Sequence, residues 1–546
     1  MTPDAVVVGA GAGGSAAAWR LCRAGLKVLL LEAGPRFDPA RDYPLTAPDW
    51  ERRRFPVLPG SRAPVSYGDL GTLDPADATL GSWSAVSGAS GVTGRRIAST
   101  IGYDHVQGYG GTTLHFTGEA HRLHPDAFRL YSARGAGADW PLGYADLEPY
   151  YTECETLIGI AGPARTGPRV RSAPYPLPPH PFSPAARTLQ AAGGHDWQPN
   201  PRAALSRDYD GRPRCNYCGN CGRGCPLGDK GSADVTFLRR AEATGNLTAI
   251  TGAQVIALHP AAGGRIAALT YAHQGRATRQ ETPLLVLAAG AVQAPRLLLA
   301  GAGPDWPSGL ANGSGQVGRN FMETLSWLGT GFAPGLSNSH MGLPADMVCW
   351  DFNAPDSVPG AVGGVRFTQA TQEAALVGPI AYATRLIPGF GPAFKARMRN
   401  ALGSALSVGA LAETVPDARS FVDLDPERAD SRGVPLPRIH SVLTGNSLRL
   451  LHFMAETCRA MLASAGVDEL AEESGVWDRF TSTHVFGTCR MGFDAATSVT
   501  DPFGRAHDHD NLHIADASVF PSTGGGESPA LTIQALALRL ADRILQ

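Results

Sequence analysis

Four of the nine cysteines fall close together, Cys215, Cys218, Cys221 and Cys225 in the stretch RCNYCGNCGRGCPLGDKG, residues 214–231. Their spacing, C-x2-C-x2-C-x3-C followed by Pro226, is that of the thiolate run that holds iron–sulfur clusters in small ferredoxins. Zinc fits poorly, because structural zinc sites pair two separated knuckles and this run has neither a second knuckle nor a histidine. Disulfides need an oxidising compartment. The N-terminus, MTPDAVVVGAG, runs almost directly into a strand without a signal-like segment. The expectation is therefore a cytoplasmic protein, or a periplasmic one only if a partner carries the signal. A cluster and reduced structural thiols both remain open for the run.

A second chemistry lies at the start of the chain. Residues 5–9, AVVVG, read as a buried parallel strand, and Gly9, Gly11 and Gly14 complete G-x-G-x-x-G. Gly9 permits the tight turn, Gly11 lets a pyrophosphate approach the backbone, and Gly14 lets helix and strand pack closely. The helix that follows points its N-terminus at the phosphates. The next strand, KVLLLE, ends at Glu32, where a carboxylate accepts from a ribose diol. This predicts a dinucleotide site without separating FAD from NAD.

The elements that must hold these groups belong to a long, ordinary-looking chain. With 546 residues, 43% hydrophobic and 18% charged, it has ample material for several domains and a large core. A net charge of -2 gives no electrostatic case for nucleic acid, and no apolar run is long enough for a membrane span. The 66 glycines and 43 prolines follow no repeat and imply many loops.

Five further stretches carry a resemblance. HVFGTCRMG (484–492) and NLHIADASVFPSTGGGESPALTIQALAL (511–538) look like the C-terminal signature of the glucose–methanol–choline (GMC) oxidoreductases, which are FAD enzymes. HVQGYGGTTLHFTG (105–118) resembles that family's first flavin-contacting loop, and AAGAVQAPRLLLAGAG (288–303) its second signature, with Ala294 and Ala300 where hydroxyl residues are usual. VGRNFMET (317–324) resembles the return to the substrate domain. GGTTLHF, WPLGYADLEPYY (140–151) and CPLGDKG resemble the sugar and polyol dehydrogenase branch, while long-chain alcohol oxidases share C-G-x-C-x-x-G-C.

The resemblance implies an α/β fold (α+β overall). A Rossmann-like FAD domain would be assembled from residues 1–170, 212–320 and 481–546. A substrate domain, an antiparallel sheet with flanking helices, would take residues 321–480, with one clear amphipathic helix at 447–466. Residues 36–102, aperiodic and rich in Pro, Gly and Asp, form a long excursion, read as a lid or subunit contact.

It also implies a site. His484 falls on the catalytic histidine, the base for an alcohol proton while hydride goes to flavin N5, a task suited to an imidazole. The partner position, His or Asn in the family, is Ser528 here, with Glu527 beside it as an alternative base or a helix-start acid. Gly110, Gly111, Thr112, Val255, Asp516 and Thr532 fall among the flavin contacts. His115 aligns with a position that attaches flavin covalently in some members, although simple packing against the ring is the preferred reading. In the sugar-dehydrogenase branch a three-iron (3Fe-4S) cluster is held by C-x5-C-x3-C, which Cys215, Cys221 and Cys225 satisfy, with Cys218 spare.

The expected function is oxidation of an alcohol group of a sugar, glycoside or polyol to a carbonyl. Electrons would pass to an external acceptor, aided by a helper or electron-transfer subunit. The alternatives are an oxygen-using oxidase of simple or long-chain alcohols that makes hydrogen peroxide, and more remotely an FAD-containing lyase.

Overall fold

The computed structural model describes residues 2–44, 51, 55–56, 58–71, 80, 83–84, 103–476 and 484–546. Most of the predicted excursion, and with it the reading of a lid or subunit contact, lies outside the described residues. Its described parts do join the fold. Ser66–Tyr67 pairs in parallel with Pro435–His440, Trp83–Ser84 pairs with Leu470–Gly475, and Phe55 packs with Phe37, Tyr43, Val106 and Leu114.

A five-stranded parallel sheet carries the N-terminal motif. Its order is Leu512–Ile514, Leu285–Leu287, Ala5–Val8, Val28–Glu32, Leu247–Thr251. Every residue of Ala5–Val8 and Val28–Glu32 is buried, as continuous apolar runs in a sheet covered on both faces require. The fold is α/β, and this half of it is Rossmann-like. Helix Ala12–Arg23 follows the first strand and packs against the C-terminal helix Ala530–Leu545. Its N-terminus has Gly11 at the cap, no capping side chain and no acid in the first turn, so its leading N–H groups are left for a ligand. Gly9 takes φ +100°, and a Cβ on Gly14 would overlap the Gly9 carbonyl, so each glycine does what its place in the motif requires.

A seven-stranded antiparallel sheet faces this half. Its order is Trp83–Ser84, Leu470–Gly475, Leu325–Phe332, Ala405–Ala412, Val365–Gln369, Met347–Cys349, Trp197–Pro199. Both edge strands come from outside residues 321–480. Helix Gly445–Ser464 lies across the middle strands, starting two residues before the predicted helix. It buries Leu450, Leu451, Met454, Cys458, Met461 and Leu462, a stripe at helical spacing. A smaller sheet of Phe421–Ala429, Pro435–His440 and Ser66–Tyr67 packs instead on helix Gly290–Leu299, which leads off the parallel sheet.

Candidate active site

One cavity of about 440 Å³ runs from the glycine motif to the seven-stranded sheet. At its first end lie Gly9, Gly11, Gly13, Glu32 and Val255, at the carboxyl ends of the parallel strands where α/β sheets bind ligands. Gly111 and Thr112 line its middle; a Cβ on Gly111 would sit 2.6 Å from the Gly11 Cα, so the two loops meet backbone to backbone. Glu32 accepts from the backbone N–H groups of Ala10 and Gly34, both at 2.8 Å. Burial pushes its carboxyl up to about 7 although those bonds pull the other way. Asp516 accepts from Gly290 and Ser518 N–H groups and so fixes the start of the helix that flanks the cavity.

The far end is walled by His115, Phe116, Thr117, Glu119, Glu373, Leu411, His484 and Ser528. His484 is half-buried and directly precedes the short strand Val485–Phe486, which pairs with Met322–Glu323. Burial, reinforced by the Arg366 charge and opposed by Glu119, pushes its imidazole down to about 4. His484 is therefore neutral at working pH, the form that can accept a proton.

Ser528 belongs to a buried polar network. Its Oγ donates to Glu119 Oε2 at 2.9 Å. Arg366 grips the same carboxylate with two bonds of 2.8 and 2.6 Å, and Asn200 donates a third at 2.8 Å. Burial works to raise Glu119, but the Arg366 guanidinium overcomes it and holds the carboxyl well below the usual range. The Ser528 N–H donates to His121 Nδ1 at 3.1 Å, which leaves the His121 proton on Nε2, 2.7 Å from Asn200 Oδ1. With its own proton given to Glu119, the Ser528 hydroxyl turns lone pairs to the cavity. Glu373 is the exception to this pairing. Its side chain is exposed to the cavity, and it forms no ion pair among the described residues. Burial, and secondarily the Glu119 charge, push it up to about 7, while Arg202, Arg366 and a Thr117 hydrogen bond act to lower it.

With this geometry in view, comparison with known proteins is decisive. Sequence models of the GMC oxidoreductase family match residues 180–325 and 416–537, and one of an NAD(P)-binding Rossmann-like domain matches residues 7–37. The chain is 30% identical to the fructose dehydrogenase large subunit of Gluconobacter japonicus, spanning 100% of this chain and 98% of that protein. It is 31% identical to a paromamine 6'-oxidase of Streptomyces fradiae, spanning 99% and 91%. The chain belongs to the GMC oxidoreductases. A crystal structure of pyridoxine 4-oxidase from Mesorbium loti shares the fold, with TM-score 0.65 at 20% identity over 98% of each chain.

As a GMC oxidoreductase the protein uses FAD and acts on CH–OH donors, and the cavity fits that cofactor. An uncapped helix start and glycine backbone suit a pyrophosphate. His115 Nε2 and Gln293 Nε2 are buried on the cavity wall without a hydrogen-bond partner among the described residues, as polar atoms waiting for a ligand would be. Burial drives His115 down to about 3, with Lys230 next in effect, so its imidazole is neutral.

Three expectations need correction. Glu527 does not face the cavity; it is fully buried and pairs with Arg169 at 2.6 Å while accepting from the His124 N–H, so it is no base for a substrate. Thr532 points to the other side of its helix, to the Tyr151 hydroxyl at 2.9 Å. Gly110, at φ +124°, lies under Leu114 and shapes the loop without reaching the cavity. Glu119, His121, Asn200, Arg366 and Glu373 went unread in the sequence. Of these only Arg366 lies within a strand, VRFTQ, where a charge between Val365 and Phe367 was the one hint.

The cysteine loop is braced against the flavin loop. Lys230 is buried, and its Nζ donates to the carbonyls of Leu114 and Phe116, each at 2.9 Å, and of Cys221 at 2.7 Å. Cys225 Sγ donates to Asp229 at 2.5 Å, and Cys215 bonds the same carboxylate. Burial first, then the Asp229 charge, raises Cys215; burial pushes Cys221 up to about 11 and Cys225 to about 12. No three of these sulfurs lie within 4.8 Å of one another. Among the described residues that spacing is met only by His195, Cys349 and Asp351, which do not line the cavity.

Proposed function

We propose that this protein oxidises a secondary or primary alcohol group of a sugar, glycoside or polyol to the carbonyl, with His484 as the base. The observation that carries the proposal is a neutral imidazole on the same cavity wall as Ser528 and His115, at the end remote from the dinucleotide motif. FAD, when bound, supplies the hydride acceptor. A ring nitrogen of His484 takes the hydroxyl proton. Arg366 lies close enough to disfavour the imidazolium and Glu119 close enough to favour it, so their balance tunes how readily that proton is held. Ser528 Oγ, already donating to Glu119, orients the substrate by accepting from a hydroxyl. The names of the fructose dehydrogenase and paromamine oxidase relatives support a polyhydroxylated substrate. Anaerobic bleaching of the flavin by sugars or polyols tests the reading, and loss of bleaching in His484→Ala tests the base. A flavin that no alcohol bleaches would overturn both and leave the lyase reading.

The loop at residues 215–225 carries the finer proposal of a three-iron cluster on Cys215, Cys221 and Cys225. All three feel the Asp229 charge, and Lys230 ties Cys221 to the loop of His115, which supports the reading, although the sulfurs would have to draw closer to share a cluster. Asp229 works against it, since thiolates would replace two thiols that now donate to a carboxylate. About three irons per flavin in freshly purified protein would support a dehydrogenase that passes electrons to a partner subunit, as the large-subunit relative suggests. A flavin spectrum without iron would make these structural thiols and direct the search to oxygen consumption.

A further inference from the structure

The far end of the cavity offers acceptors in search of donors. Ser528 Oγ has committed its proton to Glu119. Glu119 is filled by Arg366, Asn200 and Ser528. Glu373 remains, a carboxylate that reaches into the same space just beyond the strand Val365–Gln369. Its neighbour Gln372 is fixed, donating to the carbonyls of Ser339 at 3.0 Å and Met341 at 2.9 Å, so the backbone that carries Glu373 is held in place. Arg202 spends donors on the carbonyls of Ala345 and Thr117 and acts on Glu373 through its charge, while the Thr117 side chain gives Glu373 a single hydrogen bond. Glu373 and His484 both lie within electrostatic reach of Glu119 and Arg366, which places them at one end of the cavity.

A carboxylate in such a place has a strong preference about what fills the cavity. An apolar tail would strip its water and return no hydrogen bond, whereas a hydroxyl or ammonium would satisfy it. Sites built to bond a substrate donor reject analogues that lack it far more strongly than apolar pockets discriminate by size. We propose that Glu373 is a specificity-determining residue that binds a second hydrogen-bond donor of the substrate, a hydroxyl or an ammonium away from the carbon being oxidised. This rests on the reading of His484 as the base and narrows it. The enzyme selects polyols and sugars, aminated sugars included, over monohydric and long-chain alcohols.

The test compares wild type, Glu373→Gln and Glu373→Leu as FAD-loaded proteins. Flavin content and the oxidised flavin spectrum show that each is folded. Anaerobic flavin reduction, and steady-state turnover with an artificial electron acceptor, are followed with glycerol, sorbitol, fructose and glucosamine, and with 1-butanol and 1-decanol. The expected result is a rise of tenfold or more in KM for polyols and sugars in Glu373→Gln, with kcat changed less than threefold. In Glu373→Leu, selectivity should turn toward the monohydric alcohols. A larger loss for glucosamine than for the neutral compounds identifies an ammonium as the donor; equal losses identify a hydroxyl. An unchanged ratio of polyol to monohydric kcat/KM in both variants overturns the proposal while leaving the alcohol-oxidation reading intact. Should no alcohol reduce the wild-type flavin, that reading falls and the proposal with it.

Discussion

The two ends of the cavity are built by different means. At the dinucleotide end the working groups are mostly backbone, set by a strand, a glycine turn and a helix that are contiguous in sequence, with Glu32 closing the motif. At the reacting end they are side chains brought from positions 119, 200, 366, 373, 484 and 528, with Glu119 bonded to three of the others. Backbone sites tolerate any sequence that keeps the turn. The side-chain site depends on mutual satisfaction, because each buried charge is affordable only with its partners present. One end can therefore be shared by many enzymes while the other specifies a reaction.

The comparison can be broken most severely at His484. His484→Ala should slow anaerobic flavin reduction by about 10²–10⁴-fold while leaving FAD content unchanged, as expected for loss of a general base. Stopped-flow absorbance at saturating substrate measures it. Next comes the network. Arg366→Met leaves Glu119 buried without its bidentate partner and should cost about 3–5 kcal/mol of stability. Adding Glu119→Gln should recover much of that, and denaturant unfolding of the two variants checks it. A pH profile gives a gentler probe. The neutral form of His484 is competent and its pKa is pushed down to about 4, so its own limb in kcat/KM should appear only as pH drops through about 4, apart from a limb near 7 that Glu373 gives with a polyol. A limb near 6.5 that persists in Glu373→Gln would mean that the imidazole is not held as described. The smallest effect belongs to Ser528. Ser528→Ala removes one acceptor and one Glu119 bond, and should raise KM for a polyol roughly fivefold, in line with about 1 kcal/mol for a single hydrogen bond.

The same contrast explains what could be read from the sequence. AVVVGAGAGG and KVLLLE announce a parallel sheet and its glycine turn because strand, turn and helix are local, and the helix from 445 to 464 shows its stripe for the same reason. Ser528 and His484 were legible only through resemblance. Glu527 misled because proximity in sequence to Ser528 says nothing about which way a side chain turns in a loop, and here Arg169 claims it. Thr532, four residues beyond Ser528, was displaced for a similar reason, with Tyr151 on the other face of the helix. Arg366 and Glu373 sit on and just after a strand that reads as ordinary, and their meaning appears only when Glu119, about 250 positions earlier, is placed beside them.

Lys230 gives the molecule a mechanical junction. An ammonium has three hydrogens, and here all three are spent on carbonyls, two flanking His115 and one within the cysteine run. The two loops thus share a single rivet with no slack. Chemistry at Cys221, whether oxidation, alkylation or metal capture, has no soft hinge through which to dissipate before it reaches the segment that faces the flavin. Alkylation of Cys221 is therefore expected to shift the flavin spectrum although none of these thiols lines the cavity.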